Sequence, residues 1–482
     1  MSNSADEITI PPQLTKKVKL SSECENEDRL SDLPESVILH ILSFLNTKHA
    51  VQTCVLSPIY KDLWKRLPAL TLHNRDFRNF KIFTTFVSKI LSLRDSSISL
   101  QSLDFQRHNG RFEPQLKKIV NYAISHNVQR LQLCVNCDIA QIPHSLFSFQ
   151  PLTHLELSIV QRDRHSETEF PNSFSLPALT HLQLSVAQRD RNLKTQFLNS
   201  LSLPALTHLM LSGYSNLFPD SLDLPALTSL QLGHFTFCVS GNNCAEPFSN
   251  FSRLSSLLIS DCTVKGKLCI SSATLVNFTM YNHSEDFYMI ELCTPSLCAF
   301  TFNGTPYQRI IGSNISSLKH VDIHAEIHSD TEAPPLFLYS WLLEFADIKS
   351  LTVTATALQV LCLFPDLLKH KHRSLGKLKS MKVEIDEILY GLRLTLCEYK
   401  LKTVKSKKEA TRIKKAYASG SEPSPPVPDG IVDFLRQNSP TAKVDFIDCT
   451  KKSEPGCYNP SEFRCNASMD IHTRQSLLED IK

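Results

Sequence analysis

The chain has 482 residues, 42% hydrophobic and 21% charged, which fits a soluble globular protein of two or three domains. Its formal net charge of +3 gives no global case for nucleic-acid binding, so local clusters have to be judged individually. Fifteen cysteines, a polar N-terminal stretch without an apolar signal region, and no run reaching about 20 apolar residues imply reduced thiols in cytosol or nucleus. With only 12 glycines there is no phosphate loop, dinucleotide fingerprint, Gly-x-Ser-x-Gly elbow or His-Glu-x-x-His, so nothing points to an enzyme or a cofactor. The single Cys-x-x-Cys, Cys134 to Cys137, has no partners at ligand spacing and falls inside a repeat, so no metal is expected there.

Residues 1–27 read as a disordered segment. From Asp28 to Leu70 three short amphipathic helices are predicted, in a unit so small that some of its apolar surface must meet another domain or chain. Asp32 and Glu35 stand at capping-box spacing around Pro34, followed by a stripe of Leu33, Val37, Ile38, Ile41, Leu42 and Leu45. After Asn46-Thr47, a second stripe of Ala50, Val51, Cys54 and Val55 runs to Ser57-Pro58, where Ser as N-cap and Pro at the first helical position open a third helix with Ile59, Leu63 and Trp64. A cap on the following domain is the structural alternative.

The run Leu30 to Leu45, with Val55-Leu56-Ser57 and Leu63-Trp64, resembles the F-box of plant F-box proteins. The resemblance implies docking onto a Skp-family adaptor, and through it a cullin scaffold. By family position the contacts would be Leu33, Pro34, Ile38, Ile41, Leu42, Val55 and Leu56. One departure is Pro58-Ile59-Tyr60-Lys61, where the family usually has a basic pair and a Trp; Tyr60 keeps an aromatic ring there.

Beyond Leu70 the pattern apolar-x-x-apolar-x-apolar recurs, most plainly in Pro177-Ala178-Leu179-Thr180-His181-Leu182-Gln183-Leu184. Its first apolar residues are Leu100, Val128, Leu152, Leu179, Leu206, Leu227, Leu254, Leu275, Leu297, Leu318, Ile348 and Leu378, with Leu67, Leu70 and Leu72 as a possible capping unit. Spacings of 21 to 30 residues resemble leucine-rich repeats, which implies one short strand per unit in a parallel-sheet solenoid. Only Asn136 and Cys262 hold the ninth position where that family buries an Asn or Cys, so an irregular horseshoe is expected, its convex side carrying loops and 3₁₀ turns as often as helices.

Alternation along each strand sends the third, fifth and seventh residues of each unit to the concave side. Candidate target-facing residues are His154, Glu156, His181, Gln183, His208, Met210 and Gln231, and Arg130 and Lys382 are the only cations among the inward positions. That face suits neither nucleic acid nor the inositol polyphosphate that some hormone-receptor F-box proteins hold; a protein target fits better. His154, His181 and His208 would form a ladder about 4.8 Å apart, inviting a metal or pH role, although duplication of near-identical segments also explains it.

From about Pro335 the chain resembles the FBD domain that follows F-box and leucine-rich repeats in many plant proteins, in Trp341 to Phe345, Ile348 to Val353, Leu358 to Leu361, Leu378 to Val383, Pro428 to Pro440 and Lys443 to Phe446. The domains expected are thus F-box 28–70, solenoid 71–334, FBD module 335–449 with a basic and Pro-rich insertion at about 400–428, and a tail 450–482. The fold class is α/β: a three-helix F-box, an irregular leucine-rich-repeat solenoid and a C-terminal FBD α/β module. The function implied is non-catalytic, the substrate-recognition subunit of a cullin-type ubiquitin ligase; the alternative is a repeat scaffold without a ligase.

Overall fold

The computed structural model describes residues 33–107, 113–161, 174–188, 200–219, 221–239, 243–284, 286–325, 333–345, 347–355, 357–358, 376–385, 397–398, 400–401, 404–419, 439 and 441–449. The expected disordered segment 1–27, the tail 450–482 and the Pro-rich end of the insertion lie outside them. The chain divides into two compact units between Leu67 and Pro68, three residues before the boundary expected at Leu70.

In the first unit, helix α1 (Glu35–Ser43) begins after Pro34, whose ψ of 141° is extended and whose carbonyl accepts from the amides of Val37 and Ile38 at 2.9 and 3.1 Å. Proline at the cap loses nothing, because its missing N–H would have been unpaired there. Helix α2 (Thr47–Gln52) is capped by Asn46, whose side chain accepts from the His49 amide at 2.8 Å. The third helix expected is instead two 3₁₀ turns, Pro58–Tyr60 and Leu63–Arg66. Ser57 does cap the first of these, with Pro58 next, but Asp62 between the turns has φ −117° and ψ −3°, away from regular helix geometry, so no continuous α-helix forms. An ion pair between Glu35 and Arg66 ties α1 to the last turn.

The second unit is built on one parallel sheet in which fourteen strands follow each other in chain order. Each of the twelve leading apolar residues read from the sequence is followed two positions later by a strand, beginning at Ser102, Arg130, His154, His181, His208, Ser229, Ser256, Asn277, Ala299, His320, Ser350 and Ser380. All twelve are 3% exposed or less. Ala69–His73 adds a strand before them, after Leu67, and Lys443–Asp448 one after. Registers are in phase, for example Leu155 with Leu182 and Leu157 with Leu184, so alternate residues stack into buried rows. Each such aliphatic side chain contributes about 1.5 to 3 kcal/mol by leaving water. The sheet passes the expected domain boundary at Pro335 without interruption, because Ser350–Thr354 pairs with His320–Ala325.

Repeat length decides the return path. Where leading residues are 28 or 30 apart, as from Leu100 to Val128 and from Leu318 to Ile348, the chain returns through the helices Glu113–Ser125 and Ala333–Glu344. Between Leu254 and Leu318 the spacing is 21 or 22, which leaves no room for a helix, and the return is extended. Those three extended returns, Lys267–Ser271, Met289–Cys293 and Arg309–Asn314, form a second parallel sheet together with Cys244–Ala245 from the preceding 27-residue unit, in place of the loops and 3₁₀ turns expected there. A disulfide joins Cys244 to Cys269 within it, the exception to the expectation of reduced thiols. The Trp341 ring is fully buried against Phe300 and Phe302 and donates Nε1–H to the Gln308 carbonyl at 2.8 Å. Within the basic insertion, Lys407–Ser419 is a helix with Ile413 and Tyr417 buried and its Lys and Arg residues exposed.

Candidate functional site

Two surfaces carry the residues singled out above. On the helical unit, the predicted contacts separate by helix phase. Pro34, Ile41, Val55 and Leu56 are exposed, the last two at 79% and 73%, and Leu33 is half-buried. Ile38 and Leu42, by contrast, are 2% and 3% exposed and lie on the buried face of α1. A side chain already removed from water has no apolar surface to offer a partner, so these two hold the unit together. The exposed face is completed by Val37, Phe44, Leu45 and Ile59. Among the described residues, seven of the thirteen exposed large apolar side chains therefore fall within residues 33–67. The Cys54 thiol, within 3.6 Å of the Tyr60 carbonyl and 3.2 Å of the Lys61 carbonyl, bridges the 3₁₀ turn Thr53–Val55 to the following turn; partial burial raises its pKa. Tyr60 is buried.

The second surface is a groove of about 480 Å³ on the open face of the main sheet. In-phase registers bring all seven residues expected to face a target to it. Arg130, His154, His181, His208 and Ser229 form one row, and Gln132, Glu156, Gln183, Met210 and Gln231 the next. The histidine rings stack with centroids 4.2 Å apart and planes 9° and 7° from parallel. Glu156 accepts from the Gln183 amide at 3.2 Å, and burial followed by the Asp104 charge raises its pKa. Burial also lowers the pKa of His154 and His181, helped by Arg130 and by the neighbouring imidazoles. Lys382, on a more distant strand, is exposed.

Parallel rings direct their lone pairs side by side, so the ladder does not converge on one ion in the way a metal centre requires. Burial pushes the Cys137 thiol up to about 12 and raises Cys134 as well, which makes both poor ligands. Among the described residues one cluster, Cys244, Glu246 and Cys269, brings three ligand atoms within 4.8 Å of one another, with its two sulfurs bonded to each other.

Sequence reasoning missed the devices that hold the ladder. Thr153, Thr180, Thr207 and Thr228 each donate a hydroxyl to a backbone carbonyl of the preceding repeat at 3.0 Å, and Ser255 does so at 3.1 Å. The signal was present in the recurring Leu-Thr-His. Of the ninth-position residues, Cys262 is buried with Sγ 3.7 Å from the Leu232 carbonyl, and burial pushes its pKa up to about 12. Asn282, one position earlier in its unit, is fully buried and donates to the carbonyls of Ser284 and Thr305.

Residues 30–71 match the F-box domain family. Among curated proteins of Arabidopsis thaliana, an F-box/FBD/LRR-repeat protein is 33% identical over 145 residues, 30% of this chain and 32% of that protein. An FBD-associated F-box protein is 48% identical over 71 residues, 15% of this chain and 16% of its own length. An F-box protein is 34% identical over 139 residues, 28% and 34% of the two chains. The matches cover about a third or less of the length of these relatives.

Proposed function

We infer that this chain, a member of the plant F-box/FBD/leucine-rich-repeat family, is a non-catalytic substrate-recognition subunit of a cullin-type ubiquitin ligase. The helical unit docks on a Skp-family adaptor, and the parallel sheet, read as an irregular leucine-rich-repeat solenoid, takes the target protein on its open face. The observation that carries this reading is the crowding of seven exposed large apolar side chains into residues 33–67, a density a small soluble unit keeps only where a partner covers it. The chain contributes proximity: a target held in the groove is presented to the conjugating enzyme at high effective concentration. Cytosol, nucleus or both are the compartments proposed for it.

The second reading, a repeat scaffold without a ligase, draws on the Pro58-Ile59-Tyr60 departure, since Tyr60 turns inward and Ile59 is exposed in its place. Co-expression with a Skp-family adaptor separates the two. The intact chain is expected to co-elute with the adaptor as a one-to-one complex that the Leu33→Asp, Ile41→Asp double variant loses. A soluble intact chain that never retains the adaptor would leave the scaffold reading.

A further inference from the structure

The hydroxyl ladder fixes the chemistry of the histidine row. Thr153, Thr180 and Thr207 have one hydroxyl proton each, and each donates it to a backbone carbonyl at 3.0 Å. The same oxygens lie 2.9 Å from Nδ1 of His154, His181 and His208, so in each pair the ring nitrogen is the donor. The neutral rings therefore carry Nδ1–H, and their three Nε2 lone pairs, without a partner among the described residues, form a row of acceptors.

More acceptors line the same groove. Asp104 lies 2.7 Å from His73 through Oδ2, while its buried Oδ1 has no hydrogen-bond partner among the described residues. Glu156 stands directly beside the histidine row. The charged groups facing the neutral rings are Asp104, Glu156 and Arg130, two carboxylates against one guanidinium.

We propose that the groove receives a cationic, donor-rich segment of polypeptide, with a lysine ammonium reaching Glu156, the Asp104 carboxylate adding negative charge behind it, and N–H or O–H donors set against the Nε2 row. This rests on the substrate-receptor reading and specifies its target chemistry. Protonation turns each Nε2 from acceptor to donor and adds positive charge, so acid expels the segment.

The test uses the full chain and fluorescein-labelled peptides alternating Lys-Ser, Glu-Ser or Gln-Ser, read by fluorescence anisotropy, with adaptor retention measured on the same preparations. The chain's net charge of +3 favours the Glu-Ser peptide non-specifically, so preference for Lys-Ser has to come from a local site. Lys-Ser is expected to bind best at pH 7.5 and to weaken progressively as pH falls to 5.5 and below, the loss setting in under the ordinary histidine pKa because burial lowers that of His154 and His181. Glu156→Gln, and His181→Phe, which keeps a ring in the stack, are each expected to cost about tenfold or more. Tighter binding of Glu-Ser, no binding of any peptide, or Lys-Ser binding unchanged by both variants would overturn the proposal. A chain that retains the adaptor yet fails these tests loses only this inference; one that selects Lys-Ser but never retains the adaptor loses only the ligase role.

Discussion

Trimming Val55 and Leu56 to Ala should disable adaptor binding while leaving the folded chain untouched, and Ile38→Ala should do the reverse. Val55 and Leu56 are 79% and 73% exposed, so the free protein loses almost no buried contact when they are shortened, and a surface change of this kind shifts stability by no more than about 0.5 kcal/mol. On an adaptor the same side chains would be covered. Full burial of a Val or Leu side chain is worth about 1.5 to 3 kcal/mol, and most of that goes with the methyl groups removed. The double variant should therefore lose about 2 to 4 kcal/mol of affinity, roughly 30-fold to 1,000-fold. Ile38, 2% exposed, leaves a cavity when trimmed and should cost about 2 to 5 kcal/mol of folding stability, with affinity falling only through the unfolded fraction. Isothermal titration with a Skp-family adaptor and thermal unfolding of the same samples read both quantities. Wild-type affinity in the Val55→Ala, Leu56→Ala variant would refute the assignment of the outward face, and undiminished stability of Ile38→Ala would refute the assignment of the inward one.

Trp341→Phe keeps an aromatic ring between Phe300 and Phe302 but strands the buried Gln308 carbonyl, at an expected cost of about 1 to 3 kcal/mol, seen as a lower unfolding midpoint. Because burial first, then Arg130 and the other rings, lowers the pKa of His154 and His181, the unfolded chain binds more protons below about 6.5, and the stability present above that value is lost as pH falls. The unfolding midpoint should drop between pH 7.5 and 5.5, and drop less in His154→Gln, His181→Gln; equal slopes would count against it. Glu156, with its raised pKa, works in the opposite direction at lower pH, in and just above the carboxylate range, which is why the scan stops at 5.5. Iodoacetamide labelling of the native chain near neutral pH, read by peptide mass mapping, should modify exposed Cys238 and Cys293 and spare Cys137 and Cys262, whose burial pushes both thiols up to about 12, until denaturant is added.

The sheet could be read from the chain because its signal is local and repeated. A leucine, valine or isoleucine followed two residues later by a strand recurs through twelve units, and a one-residue slip in register would have put Leu182 or Leu209 in water. The return segments were less legible, since whether a stretch closes as a helix or an extended strand depends on how many residues remain between two strands already fixed in space. The exposed apolar face of the helical unit was half legible for a related reason. Val37, Ile38, Ile41, Leu42 and Leu45 make one apolar stripe in sequence, wider than a single contact face, and periodicity cannot say which edge turns inward. That is decided by the turn carrying Leu63, Trp64 and Arg66, which packs on α1 and leaves Ile41 and Phe44 outside. The Thr-His pairs escaped for the opposite reason, being too local. Attention to the ninth position, where buried Asn or Cys is expected, passed over a hydroxyl at the start of the strand that ties each repeat to the one before it. The same hydroxyl that closes the backbone also sets the tautomer of the ring beside it, so fold and groove chemistry are written by one residue, and Thr180→Val should disturb both at once.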